Sequence, residues 1–213
     1  MREKIDLFLP CEYIDDAQNA LSVLHEYKTV QHIHFLVSAD FAAHHQVPDG
    51  CTFVVIDRLE SSNTVESIAE NTDADYVMIC TKTTPIRWGL YALERFLRTA
   101  DDTGAVMVYS DYYSLIKEDK EAAKVGGKEE KDGAETHEAK VDGAETHKLK
   151  AEQEAKTGKL IKHPVIDYQS GSLRDDFDFG SLWFIKAQAL RDFIAQQDRA
   201  DYQYAGLYDL SLI

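Results

Sequence analysis

Short apolar runs alternate with helix-spaced apolar residues along most of this chain, and that alternation limits the fold more than any other feature. Ile5–Leu9 is an apolar run ended by Pro10, the pattern of a buried strand. Asp15 and Asp16 then precede Ala17, Ala20, Leu21 and Leu24, whose spacing and acidic start predict a helix. Ile33–Val37 and Thr52–Ile56 are the predicted second and third strands. Asn63 and Thr64 are placed to cap a short helix carrying Val65, Ile68 and Ala69. Tyr76–Ile79 is the fourth strand. Thr84 and Pro85 read as an N-cap and first helical residue, opening a helix with Ile86, Leu90, Leu93 and Leu97 on one face up to Thr99. Ala105–Tyr109 is the fifth strand. Strand and helix in alternation predict an α/β fold, a mostly parallel sheet flanked by helices. Such sheets bind ligands beyond the carboxyl ends of their strands. The segments after Leu9, Val37, Ile56, Ile79 and Tyr109 are therefore where a site is expected.

One stretch breaks the pattern. From Lys117 to Lys159 there is no aromatic residue, and Ala, Glu, Lys and Gly dominate. Asp132-Gly-Ala-Glu-Thr-His137 recurs there as Asp142-Gly-Ala-Glu-Thr-His147. Two copies are too few for a solenoid, and so charged a segment buries too little apolar area to offset its ordering entropy. The chain is thus expected to be a single domain over 1–213, interrupted by an exposed charged insertion at 117–160. The paired His137 and His147 are read as part of a duplicated solvated segment rather than a metal site.

The formal net charge is -15. The insertion, 117–160, holds 12 acids and 10 bases, so nearly all of the imbalance belongs to the remainder. An acidic surface argues against nucleic acid or anionic lipid as partner. The three cysteines, Cys11, Cys51 and Cys80, form no CxxC and no disulfide framework, which points to a reducing, cytoplasmic setting. No apolar run approaches the roughly 18 residues of a membrane span. Pro10-Cys11-Glu12-Tyr13 stands where a glycine-rich dinucleotide loop would follow the first strand. The P-loop, the Gly-x-Ser-x-Gly elbow and His-Glu-x-x-His do not occur.

Several local patterns agree in order with one family. Ile5-Asp-Leu-Phe-Leu-Pro10, the helix around Asn19-Ala20-Leu21 and the strand His32–Ser38 come first. Ile68–Ile79, Gly104-Ala-Val-Met-Val-Tyr-Ser-Asp111, Phe179–Ile185 and Leu207–Leu210 follow. Over about residues 5–115 and 165–213 the chain resembles a family 2 glycosyltransferase of the GT-A fold. The resemblance implies transfer of a sugar from a nucleotide-diphosphate sugar to the hydroxyl of a glycan or other acceptor. It also implies Mg²⁺ or Mn²⁺, held by an Asp-x-Asp motif after the fourth strand to neutralise the diphosphate leaving group. A carboxylate on the acceptor side would deprotonate the attacking hydroxyl. The sequence departs from the family at the metal position, where Thr81-Lys82-Thr83 has no acid. Lys82 can stand in as a point charge on phosphate, or be a solvated loop lysine. A non-catalytic domain of the same ancestry, binding a nucleotide sugar or acting as a scaffold, is the alternative.

Candidate residues follow from the strand ends. Pro10, Cys11, Asp40, Asp57, Lys82 and Asp111 are the candidates for nucleotide-sugar binding. Against Asp57, the adjacent Arg58 offers an ordinary surface pair. Asp175, Asp176 and Asp178, flanked by Arg174, Phe177 and Phe179, are candidates for the catalytic base, and Asp209 is a fourth. The same cluster also reads as a turn rich in capping Asp. His32, His34, His44 and His45 are read as strand and loop histidines, because two alone do not make a zinc site. Trp88, Tyr91 and Phe96 are read as packing rather than a sugar platform.

Overall fold

The computed structural model describes residues 4–24, 27–84, 86–117, 158–165, 179–196 and 200–211. The chain divides into two compact units, one of Met1–Ser110 with Val165–Ile213, the other of Asp111–Pro164. The larger unit begins β1(Ile5–Pro10), α1(Ile14–Leu24), β2(Val30–Val37), α2(Ala39–His44), β3(Cys51–Val55) and α3(Ser62–Glu70). It continues β4(Tyr76–Cys80), α4(Ala92–Thr103) and β5(Met107–Tyr109). The smaller unit holds β6(Tyr112–Lys117) and β7(Gly158–His163). The chain then returns to the larger unit as β8(Leu182–Lys186), α5(Ala187–Ile194) and α6(Gly206–Leu210).

The large sheet has the order β3-β2-β1-β4-β8-β5. β3, β2, β1 and β4 pair in parallel with one another, as the alternation predicts. The sheet is nevertheless mixed. β8 runs antiparallel to both β4 and β5, pairing Tyr76 with Lys186 and Met107 with Ile185. Period-two side-chain alternation splits the core between the two faces. Ile5, Leu7, Leu9, Ile33, Phe35 and Val37 meet α1 through Ala17, Leu21 and Leu24, and α4 through Leu93, Phe96 and Ala100. Phe8, Leu36, Val54, Val77 and Ile79 meet Val65 and Ile68 of α3, Leu190 and Phe193 of α5, and Leu207 and Leu210 of α6.

Local differences from the sequence reading have physical causes. The helix expected from Thr84 begins only at Ala92. Tyr91 adopts a left-handed φ of 55° just before it, turning the chain sharply. Ile86 and Trp88 pack on the core from outside the helix, while Leu90 is 80% exposed. α3 is capped by Ser61 rather than Asn63, and Ser61 Oγ accepts the Thr64 N–H at 3.2 Å. β6 and β7 were not foreseen as strands. They form an antiparallel ribbon from Tyr112 opposite His163 to Lys117 opposite Gly158. Both ends of the predicted 117–160 insertion thus belong to this ribbon. Residues 118–157, with His137 and His147, lie outside the described residues.

Gly206 shows how tightly the last helix sits. A Cβ added there would collide with Ser62 N and Ser61 C, both backbone atoms. Neither can move without disturbing the start of α3. Gly206→Ala is expected to destabilise the larger unit by about 1–3 kcal/mol, as overpacking does. Urea unfolding checks this, and an unchanged midpoint would refute the close approach.

Candidate functional site

The carboxyl ends of β1–β4 form one edge of the large sheet, and the local chain chemistry sets what stands there. Pro10 ends β1, and the Cys11 N–H donates to Leu36 O at 3.0 Å, carrying the ladder one residue further. Ser38 then caps α2, its Oγ accepting the Phe41 N–H at 3.1 Å, which puts Asp40 in the first turn. The Asp40 side chain is 90% exposed, with His44 Nδ1 3.4 Å from Oδ1. Asp57 follows β3 and is exposed. Among the described residues it makes no ion pair with Arg58, whose guanidinium instead lies over the Tyr204 ring at 4.6 Å.

Two long-range attachments bring later chain to this edge. The Thr81 N–H donates to Ser181 O at 3.0 Å, and Thr81 Oγ1 donates to Gly180 O at 3.1 Å. The chain just after the predicted carboxylate cluster is thereby pinned beside the Lys82 loop. Lys82 is exposed, and its carbonyl accepts the Cys80 thiol at 3.0 Å. Asp175, Asp176 and Asp178 themselves lie outside the described residues. The second attachment is at β3. Ser62 N–H donates to Tyr202 O at 2.8 Å and Gly206 N–H to Glu60 O at 2.7 Å, so the segment leading into α6 lies against the loop containing Arg58. Asp209 is in α6 and half-buried. Asp111 opens the smaller unit, where Lys162 Nζ lies 3.8 Å from its carboxylate.

The cysteines at this edge are not nucleophiles. Cys11 and Cys80 are buried. Burial is the main cause that pushes the Cys80 thiol up to about 11 and raises Cys11 too. Both stay protonated at neutral pH, as core cysteines do. Trp88 and Phe96 pack on the core as expected, but Tyr91 is 64% exposed.

The donors of Thr81-Lys82-Thr83 do not fit Mg²⁺ or Mn²⁺. Such ions need oxygen ligands, preferably charged, and the charged group here is an ammonium. Among the described residues, the one group of three His, Cys, Asp or Glu side chains with converging ligand atoms is Asp6, His32 and His34. It lies toward the opposite end of the strands. The sequence reading took His32 and His34 for plain strand histidines and left out Asp6, although an acid inside the first apolar run, beside a strand with histidines two apart, is a visible signal. Asp6 is fully buried. Its Oδ1 accepts the His32 N–H at 3.1 Å, and its Oδ2 accepts Thr72 Oγ1 at 2.7 Å and the Asp73 N–H at 3.3 Å. His32 Nδ1 stands 3.2 Å from Oδ1. His34 stacks on Phe8 with ring centroids 4.5 Å apart, and burial lowers its pKa so that the ring is neutral.

No protein-family model matches this chain, and no curated protein matches it.

Thiol chemistry gives a direct check on the edge. With its pKa near 11, Cys80 has only about one thiolate in 10³ molecules at pH 8. Alkylation of the native protein is expected to reach partly exposed Cys51 first and to spare Cys11 and Cys80 until the chain unfolds. Peptide mass spectrometry reads the order. Early modification of Cys80 would contradict its burial.

Proposed function

We propose that the carboxyl edge of the large sheet binds a nucleotide-diphosphate sugar and that the protein is a glycosyltransferase of the family 2, GT-A type. The observation that carries this reading is the pinning of Gly180 and Ser181 to Thr81. It joins the chain that follows the predicted acceptor-side carboxylates to the loop that follows β4. In this reading Asp40 and Asp57 contact the base or ribose. Lys82 faces the diphosphate in place of a metal, and offsets locally a chain whose net charge of -15 would otherwise repel it. Pro10 and Cys11 shape the floor between β1 and β2.

The chemistry follows from the donor's own polarity. An acceptor hydroxyl oxygen bonds to the anomeric carbon as the bond from that carbon to the diphosphate oxygen breaks. The nucleoside diphosphate leaves with the electron pair. The hydroxyl proton passes to a carboxylate, for which Asp175, Asp176, Asp178 and Asp209 are the candidates.

A second reading has its own observation. The loop after β4 has no carboxylate, which favours a domain that binds nucleotide sugar without turning it over. Calorimetric titration with UDP- and GDP-sugars, with and without Mn²⁺, tests the shared part. Binding should be unaffected by Mn²⁺, and Lys82→Ala should weaken it about tenfold or more, equal to about 1.4 kcal/mol. Failure to bind any nucleotide sugar would overturn both readings. Release of nucleoside diphosphate in the presence of acceptor then separates the transferase from the binding domain.

A further inference from the structure

We propose that Asp6, His32 and His34 form a structural site for a divalent transition ion, with Zn²⁺ as its natural occupant. One ligand atom from each of the three lies within 4.8 Å of the others. His32 Nδ1 and Asp6 Oδ1 are already 3.2 Å apart. Two ligands of a tetrahedral zinc ion, each about 2.0–2.1 Å from the metal, stand roughly 3.3–3.4 Å from each other. The ion would take the place of the contact between these two groups.

The independent observation is the state of His34. The residue is 5% exposed, and its Nε2 has no hydrogen-bond partner. A buried polar atom without a partner calls for an explanation. Its other nitrogen, Nδ1, is 2.5 Å from Thr52 Oγ1. When Nδ1 donates to that hydroxyl, Nε2 is left as a bare lone pair, the form that binds metal. A hydrogen bond on the distal nitrogen is how metal-ligating histidines are held in tautomer and orientation. Asp6 supplies the charge. It is fully buried, and among the described residues no lysine or arginine nitrogen comes within 4.0 Å of it. Thr72 and the Asp73 N–H orient its second oxygen.

Two imidazoles and a carboxylate suit Zn²⁺ or Co²⁺ better than Mg²⁺ or Ca²⁺. Asp73, whose Oδ1 is 3.6 Å from His32 Nδ1 and which accepts from Gln31, is at hand for the fourth position, with water as the other choice. The ion would tie β1 and β2 to the turn after α3, far along the strands from the edge assigned to nucleotide sugar. The inference is independent of that assignment.

The test uses the untagged full chain, stripped with a chelator and titrated with Zn²⁺ by calorimetry and with Co²⁺ by visible absorption. One equivalent of each should bind. The Co²⁺ spectrum should be that of a tetrahedral nitrogen and oxygen site, without a thiolate charge-transfer band. His32→Ala alters a half-exposed residue, and the variant is expected to fold. It should lower Zn²⁺ affinity at least tenfold. Thr52→Val, which releases Nδ1 of His34, should lower it about tenfold. Replacing His137 and His147 together by Ala should change nothing. No binding at micromolar metal would overturn the site. So would an unaltered affinity in His32→Ala, a thiolate band, or loss of binding in the His137/His147 variant.

Discussion

Every residue of β4 is buried, so each of its backbone N–H and C=O groups must find a partner inside the protein. β1 satisfies one edge of β4. The other edge is satisfied by β8, whose Lys186 pairs with Tyr76 across more than a hundred residues of chain. The larger unit depends on that pairing. It closes the sheet around β4, carries β5 on its far side, and delivers α5 and α6 to the face where α3 lies. It also continues past the last paired residue, because Thr81 donates two hydrogen bonds to the carbonyls of Gly180 and Ser181, just before β8. The same backbone requirement that completes the core therefore fixes the neighbourhood of the Lys82 loop.

The parallel part of this fold was legible in the residues because parallel strands are buried on both faces and read as continuous apolar runs. β1, β3 and β4 fall within a residue or so of where those runs end. β2 starts three residues before the predicted Ile33, since Val30, Gln31 and His32 lie at the sheet margin and need not be apolar. The direction of β8 was not legible, because an apolar strand carries no mark of its orientation. Nor was the break before α4. Leu90 has the right spacing to join Leu93 and Leu97, yet the left-handed turn at Tyr91 sends it into solvent. The ribbon of β6 and β7 was hidden by composition, since Gly158 and Lys159 look like the charged stretch beside them.

Where the candidate residues fall relative to the strands was legible to a similar degree and for similar reasons. Strand ends predict an edge, so Pro10 closes a strand of the large sheet and Cys11, Asp40, Asp57 and Lys82 follow its strands. What each does depends on contacts that spacing does not encode. Arg58 stacks on Tyr204, some 150 residues away in sequence, rather than pairing with its neighbour. Asp6 was overlooked because a single acid in a strongly apolar run reads as an interruption. In the folded chain it is where two strands and a turn meet. The sheet thus has chemically different ends. One gathers exposed acids and the Lys82 ammonium, and the other holds a buried carboxylate among imidazoles.

The ladder partners Lys117 and Gly158 have a consequence for how this chain tolerates change in length. Whatever lies between them, its two ends are already held side by side by the ribbon. Closing a connection under that condition depends only logarithmically on the number of residues. Lengthening it from thirty to forty residues, as a second copy of the Asp132–His137 repeat unit would, adds about 0.3 kcal/mol by chain entropy alone. The ribbon holds the two ends of this connection together through its own ladder. By chain entropy alone, duplication at this point is nearly neutral for folding.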